Sequence, residues 1–243
     1  MRYTLDVFEQ FLKTVDLESY RERFTHIKTV EMDLPPKIQA LDTIYEIYWD
    51  KSKNGATNPP SFDEYYDYYY TKNEAEINNF WDTTGFGKEC DCFKRGLKAR
   101  IYRTWASLIT QIHAGYVAET VFGKDTVEQS TVLDHNGIDI LVKYKNNDIK
   151  IQVKKDSKRP EISRMHGAEK NENGYFYIWY VLVQPSDYAN PYYVKKPREG
   201  QLRDSVKAFV KYNKENGTLD RFDNGFVVFT TKEFELIKQE FDK

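Results

Sequence analysis

The stretch GIDILVKYKNNDIKIQVKK, residues 137–155, contains two short segments in which apolar and polar residues alternate. A period of two is typical of β-strands that bury one face and expose the other. Between the segments lies Lys145-Asn146-Asn147-Asp148, and asparagine tolerates the positive φ angles of tight hairpin turns. The sequence therefore predicts a β-hairpin with strands over residues 137–144 and 149–155.

The two predicted strands place polar side chains on one face of the hairpin. Gln152 and Lys154 lie on the face opposite the apolar residues of the second strand, and Asp139 has the same relation to the first. If Asn146-Asn147 is a two-residue turn, Asp139 lies opposite Lys154 and Leu141 lies opposite Gln152, with Cβ atoms about 5 Å apart. A longer turn would shift this register.

These side chains suit metal-assisted hydrolysis of a phosphodiester. Mg²⁺ prefers oxygen ligands, which Asp139 and Gln152 supply, and a bound metal lowers the pKa of its water. Lys154 is placed to stabilise the hydroxide and the charge on phosphorus, while Lys155 lies on the apolar side of the strand. Asp134 is a second acidic candidate. The alternative is a hairpin whose charges pair across the strands for solubility, and the spacing alone fits both interpretations.

A long helix is predicted before the hairpin, over residues 90–122. Apolar residues recur there at steps of three and four, Gly123 is a natural stop, and a kink is expected at Gly96 or Gly115. The first half of this helix is basic, which is usually explained by a solvated face. Glu119, near its end, is a further candidate metal ligand, although a surface residue at a helix end explains it equally well.

Helices are also expected in the N-terminal part of the chain, residues 1–87. Helical spacing predicts helices over residues 3–15 and 37–50, and the composition of residues 51–60 predicts a loop. Ser61 is a candidate N-cap for a helix with five closely spaced tyrosines. Packing of these rings on a neighbouring helix explains them better than a platform on which bases stack.

Beyond the hairpin the chain alternates strands and helices. We expect a strand over residues 174–184, buried on both faces, then a helix at 201–213, a strand at 225–230 and a final helix at 231–241. Helices followed by mixed strands and helices predict an α/β core, residues 88–243, with a helical N-terminal extension. The two parts are either separate or one continuous domain.

Composition excludes several classes of protein. The chain has 243 residues, a net charge of −2, no apolar run long enough to span a membrane, and a first stretch unlike a signal peptide. Two cysteines, Cys90 and Cys92, are too few for a disulfide framework and favour a reduced, cytoplasmic protein. No glycine-rich phosphate loop is present, which disfavours a nucleotide-cofactor enzyme.

The small net charge hides an uneven distribution. Residues 1–85 contain 9 basic and 16 acidic side chains, whereas residues 86–170 contain 16 basic and 11 acidic ones. Carboxylates among basic residues suit a polyanion that is held near a cation. On charge alone, ordinary fluctuation is the simpler explanation.

Several of these segments resemble known nucleases. Asp139 followed by Gln152-Val153-Lys154 resembles the active-site motif of the PD-(D/E)xK nucleases, with glutamine at the usual glutamate position. Longer stretches are similar to restriction endonucleases of the TaqI family, and together they cover about residues 15–160. They are VDLESY (15–20), IKTVEMDLP (27–35), IYEIYW (44–49), LKARIYRTWASLITQI (97–112), LDHNGIDILV (133–142) and IQVKKDSKR (151–159).

This resemblance implies a type II restriction endonuclease that uses Mg²⁺ and cuts duplex DNA at the palindrome TCGA, between T and C. It implies a PD-(D/E)xK core with a mixed sheet flanked by helices. Asp134 and Asp139 reproduce the two aspartates of the family, and the catalytic lysine is Lys154 or Lys155, of which the strand alternation favours Lys154. Such enzymes generally imply a protecting DNA methyltransferase in the same cell.

Binding of a palindrome suggests a homodimer with one active site for each strand, although a monomer that cuts one strand at a time is an alternative. The aromatic helix at residues 61–70 is a candidate for part of the interface. The candidate DNA-binding residues are basic, and most would contact phosphates because base contacts are the minority. They are Lys155, Lys158, Arg159, Arg164, Lys196 and Arg198.

Two other functions are kept as hypotheses. A structure-specific repair nuclease would keep the same chemistry but leave plain linear duplex uncut. A DNA-binding module with a decayed site would bind without metal and cut nothing. The presence of Asp139, Gln152 and Lys154 argues against decay.

Overall fold

A computed structural model describes residues 2–30, 33–50, 57–84, 91–155, 174–180 and 211–243. Its N-terminal part is helical, as predicted. The elements are α1 (Leu5–Thr14), α2 (Leu17–Thr25), a 3₁₀ turn (Pro36–Ile38), α3 (Leu41–Ile44), a π-helical turn (Tyr45–Trp49), α4 (Phe62–Lys72) and α5 (Glu74–Thr84).

The single helix predicted over residues 37–50 is therefore divided into three short segments. Ala40 interrupts it with a left-handed backbone, φ 72°, so the 3₁₀ turn cannot run on into α3. The π-helical turn that follows α3, called the π-turn here, buries Tyr45, Tyr48 and Trp49. Helical periodicity predicted the buried face but carries no signal for these changes of helix type.

The tyrosine-rich segment is a helix that packs into the core. Ser61 caps α4 through a reciprocal capping box with Glu64, so the predicted N-cap is confirmed. Phe62, Tyr65 and Tyr69 are fully buried, whereas Tyr68 is exposed. The rings therefore fill a core, as the structural interpretation predicted.

The long helix, α6 (Cys92–Phe122), is continuous and ends at Gly123, whose φ of 116° suits only glycine. Its two glycines allow close approach of neighbouring groups. A Cβ atom at Gly96 would lie 2.9 Å from the main-chain oxygen of Lys28, and one at Gly115 would overlap the side chain of Gln129. Both glycines thus serve packing against this helix.

The basic half of α6 is not simply a solvated face, so that expectation was wrong. Arg100 Nη1 donates to the main-chain oxygen of Val30 at 2.6 Å, and Arg103 Nη1 donates to Thr29 Oγ1 at 2.8 Å. Lys98 pairs with Asp63 of α4 at 2.7 Å. These hydrogen bonds and this ion pair hold α6 against the N-terminal region.

The strands follow α6. They are β1 (Val127–Glu128), β2 (Ile140–Tyr144), β3 (Asn147–Lys155) and β4 (Tyr175–Tyr180), with α7 (Thr131–His135) between β1 and β2. They form a sheet of order β1-β2-β3-β4, in which β3 and β4 are parallel and the other pairs antiparallel. The fold is thus a mixed α/β fold with helices against the sheet.

The predicted hairpin is confirmed, but the predicted register is wrong. The two-residue turn is Lys145-Asn146, with φ values of 46° and 64°, and Asn147 already pairs with Tyr144. Leu141 therefore lies opposite Lys150, and the same register carried one residue past Ile140 places Asp139 opposite Gln152. A one-residue change in the turn moved each partner by two positions.

Of the C-terminal elements, the helix, the strand at 225–230 and the final helix are confirmed where they are described. Residues 211–216 are helical (α8), and β5 (Leu219–Arg221), which was not predicted, pairs with β6 (Val227–Phe229) in an antiparallel ladder. The final helix, α9 (Thr231–Asp242), is capped by the side chain of Thr230, one residue before the predicted start. The other residues of the predicted helix 201–213 and strand 174–184 lie outside the described part.

One hydrophobic cluster connects the N-terminal helices with the sheet. It runs from Tyr3 to Ile237, and α6 passes through it in contact with α1, α4, β1, β2, β6 and α9. The proposed boundary between residues 1–87 and 88–243 stays a prediction. Within the described part of the chain, no helix has both the length and the apolar character needed to span a membrane.

Cys92, the first residue of α6, is disulfide-bonded, contrary to the expectation of two reduced thiols. The sequence contains one other cysteine, Cys90, which lies outside the described residues.

Candidate active site

Two aspartates are brought together by the turn that joins α7 to β2. The side chain of Ser130 caps α7 by accepting from the main-chain nitrogen of Leu133, and Asp134 lies in this short helix. Gly137, at φ 75°, then redirects the chain so that Asp139 enters the ladder next to Ile140. The spacing of five residues thus places both carboxylates at one end of β2.

Asp139 is held by the backbone of β3. Its main-chain nitrogen donates to the oxygen of Ile151 at 3.1 Å, and its Oδ2 accepts from the nitrogen of Val153 at 2.6 Å. Burial raises the pKa of Asp139 to about 6; the negative charge of Asp134 also raises it, while the Val153 N–H and the charge of Lys154 oppose the rise. The Val153 N–H and the charge of Lys154 therefore do not fully compensate for the burial of this carboxylate.

Gln152 lies beside Asp139 and points to the same turn. Its Nε2 donates to the main-chain oxygen of Gly137, which leaves Oε1 available. A Cβ atom at position 137 would lie only 3.1 Å from that Nε2. The glycine thus allows both the positive φ and the approach of the amide.

The two candidate lysines differ in surroundings. Lys154 shares the strand face of Gln152, and its charge acts on Asp139. Lys155 lies on the other face, next to Tyr180 of β4, and burial lowers its pKa. The positive charge that acts on Asp139 therefore belongs to Lys154.

Two residues near Asp134 were missed by the sequence reasoning. Tyr45 Oη and Gln111 Nε2 each donate to Asp134 Oδ2 at 3.1 Å, and Gln111 Nε2 also donates to Tyr45 Oη at 2.7 Å. Burial, together with the charges of Asp134 and Asp139, raises the pKa of Tyr45, so the phenol stays protonated. The available signal was a buried amide within an otherwise apolar helix segment.

Gln129 connects this group to the other aspartate. Its Nε2 donates to the main-chain oxygens of Gln111, at 3.0 Å, and Asp139, at 3.2 Å. The side chain rests on Gly115, where there is no Cβ to displace it. Helix α6 and strand β2 are therefore joined directly behind the two carboxylates.

Glu119, the further candidate ligand, is not brought to this cluster. It pairs with Arg2 at 3.0 Å and accepts from the main-chain nitrogen of Asp125 at 2.8 Å. It lies eight residues beyond Gln111 on the same helix, about 12 Å along the axis. Its carboxylate is used to attach the N-terminus and the loop after α6.

Most of the candidate DNA-binding residues fall outside the described part, and Lys155 is the exception. Those outside are Lys158, Arg159, Arg164, Lys196 and Arg198. The structure therefore leaves their role as a prediction.

The donors at the end of β2 suit a hard divalent cation. Within the described ranges no group of three or more His, Cys, Asp and Glu side chains could hold a metal alone. Asp134, Asp139 and the amide oxygen of Gln152 provide two carboxylates and one neutral oxygen, and Mg²⁺ completes such a set with water and phosphate. A cation would also offset the raised pKa of Asp139.

Comparison with known proteins gives an independent result. The family model described as TaqI restriction endonuclease matches residues 5–240. Type II restriction enzyme TaqI of Thermus aquaticus is 31% identical over 97% of this chain and 88% of its own length. Type II restriction enzyme TthHB8I of Thermus thermophilus is 31% identical over 93% of this chain and 83% of its own length. No solved structure gives a significant match. The chain belongs to the TaqI restriction endonuclease family and is a type II site-specific deoxyribonuclease.

Proposed function

We propose that this restriction endonuclease cuts duplex DNA within TCGA, between T and C, with Mg²⁺ as its cofactor and Asp134, Asp139 and Gln152 as the metal-binding residues. The observation that carries the proposal is the meeting of two carboxylates and an amide beside Lys154 at the end of β2. The TCGA assignment is supported by the similarity to the TaqI family. A PD-(D/E)xK core is supported by the antiparallel hairpin followed by a parallel strand.

The chain's own residues would prepare the site in two ways. The Val153 N–H occupies one oxygen of Asp139, which directs the other oxygen to a ligand. When bound, Mg²⁺ polarises the scissile phosphate and lowers the pKa of a water molecule. The ammonium group of Lys154 stabilises negative charge that develops in the transition state.

The remaining partners are proposed from the family and the symmetry of the site. A palindrome suits a homodimer in which each copy cuts one strand. We propose the basic residues of and after β3, beginning with Lys155 and Lys158, as contacts to the DNA backbone. A methyltransferase that protects the same sequence is expected in the cell.

The direct experiment is to digest a fully sequenced plasmid and linear duplex with the purified protein in Mg²⁺ and to map the ends. We expect discrete fragments whose termini lie within TCGA, and no cutting in EDTA. Random ends, or cutting confined to branched or damaged DNA, would contradict the proposal. Asp139→Ala and Lys154→Ala should both lose cleavage while staying folded; normal cleavage by Lys154→Ala and loss in Lys155→Ala would move the catalytic lysine to position 155.

A further inference from the structure

The feature that the proposed mechanism leaves unexplained is the pair of donors on Asp134. Tyr45 and Gln111 both donate to Oδ2 and also contact each other, and among the described residues none donates to Oδ1. We call Tyr45 and Gln111 the Asp134 clamp. A carboxylate with one oxygen fully occupied has its other oxygen fixed in direction.

Both clamp residues are buried where the sequence could have placed apolar ones. Tyr45 is 5% exposed and Gln111 is 8% exposed. A buried amide or hydroxyl costs stability unless it is hydrogen-bonded, and here Asp134 accepts from both. The two residues come from elements 66 positions apart in the chain, so the contact depends on the tertiary fold.

Tyr45 also begins the π-turn, an uncommon backbone form that is frequent at functional sites. Its place there turns the phenol towards α7, while Tyr48 in the same turn donates to the main-chain oxygen of Pro60 at 2.9 Å. The two tyrosines therefore offer a natural comparison. One hydroxyl binds a site carboxylate, and the other binds a loop.

We propose that Tyr45 and Gln111 are positioning residues that hold Asp134 Oδ2 so that Oδ1 faces the divalent cation shared with Asp139. This inference rests on the proposed function. Groups that hold metal ligands in place commonly contribute about 10- to 100-fold to metal affinity.

The test compares Tyr45→Phe and Gln111→Met with Tyr48→Phe as the matched control. Mn²⁺ binding to the protein without DNA is measured by electron paramagnetic resonance, and the Mg²⁺ concentration for half-maximal cleavage is measured on plasmid. We expect both to weaken by about 10- to 100-fold in the two clamp variants. The KM for DNA should stay as in the wild type. In Tyr48→Phe, Mn²⁺ binding and the Mg²⁺ concentration for half-maximal cleavage should also stay as in the wild type.

Each result decides the matter. Wild-type Mn²⁺ binding in both Tyr45→Phe and Gln111→Met overturns the inference, and so does equal weakening in Tyr48→Phe, because that would indicate general loosening of the π-turn. Thermal unfolding identifies a variant that fails to fold, in which case the other clamp variant gives the answer. If the Asp139→Asn variant binds Mn²⁺ as tightly as the wild type does, the proposed metal site itself is contradicted, and with it the role of the clamp.

Discussion

Two half-buried carboxylates near α6 have opposite surroundings. Asp63 of α4 receives two hydrogen bonds from Arg23, at 2.7 and 2.8 Å, and one ion pair from Lys98 at 2.7 Å. The hydrogen bonds from Arg23 and Lys98 outweigh partial burial and lower the pKa of Asp63 to about 2. Among the described residues, the carboxylate of Asp139 accepts only from the backbone N–H of Val153, and burial raises its pKa to about 6.

The contrast separates a structural charge from a functional one. The charge of Asp63 is compensated by Arg23 and Lys98, and these ion pairs connect α4 with α2 and α6. No cation of the described residues is bonded to the desolvated carboxylate of Asp139, which suits its proposed role as a metal ligand. Helix α6 therefore forms structural ion pairs in its first half and lies behind the candidate active site near its middle.

The largest effect is expected from removing the charge of Asp139. Asp139→Asn should reduce cleavage by about 10³-fold or more, because it removes the proposed metal ligand and its electrostatic stabilisation of the transition state. The measurement is the rate of plasmid cleavage in Mg²⁺. Asp63→Asn is the matched control and should cut normally when folded. Equal losses in both variants would break the distinction between the two carboxylates.

A smaller effect is expected from Gly115→Ala, which touches neither DNA nor aspartate. The new Cβ would overlap the carboxamide of Gln129, which lies 2.6 Å away at Cδ, and so displace the link to Asp139. We expect cleavage to fall by about 10- to 100-fold. Gly96→Ala, on the same helix but against Lys28, is the control: it should lower stability and keep the rate per folded molecule.

Glu233 of α9 provides a third carboxyl group, buried away from the site. Burial raises its pKa to about 7, so its ionisation destabilises the fold increasingly as the pH rises from about 4.5 to 7. Glu233→Gln should therefore raise the free energy of unfolding by about 3 kcal/mol at pH 8 and change it little at pH 4. Chemical denaturation at the two pH values measures this. A stabilisation that is the same at both would contradict the assigned pKa.

The smallest effect is expected for the stability of Asp63→Asn. The side chains of Arg23 and Asp63 are each more than a third exposed, so solvent screening limits the loss of stability to about 1 kcal/mol. Since the folded pKa of Asp63 is lowered, the contribution is present above about pH 4 and is lost as the pH falls towards 2. Thermal unfolding should show a clear difference from the wild type at pH 7 and a smaller one at pH 2.5, because the contribution is fully lost only below the folded pKa of about 2.

Local patterns predicted the elements of the fold well. Alternation predicted the hairpin, spacing of three and four predicted α6, and Ser61 as a candidate N-cap predicted the start of α4, because each of these signals lies within one segment of the sequence. The hairpin register could not be fixed in this way. It depended on whether Lys145 or Asn147 would leave the strand, and Lys145 adopted the left-handed conformation.

The candidate site was predicted only as far as it is local. Asp134, Asp139, Gln152 and Lys154 lie close together in sequence or on paired strands. Tyr45 and Gln111 reach Asp134 across 89 and 23 positions, so no short motif contains the contact. The basic side chains of α6 were misinterpreted for the same reason, since their acceptors at residues 29, 30 and 63 come from other elements.

The central claim is that Asp139 lacks a cation that a divalent metal supplies. Its most direct test is a nuclear magnetic resonance titration of the aspartate carboxyl carbons, in EDTA and in saturating Mg²⁺. We predict that Asp139 titrates near pH 6 in EDTA and well below that in Mg²⁺, while Asp63 titrates near pH 2 in both. An Asp139 pKa that does not change when Mg²⁺ is added would contradict the account.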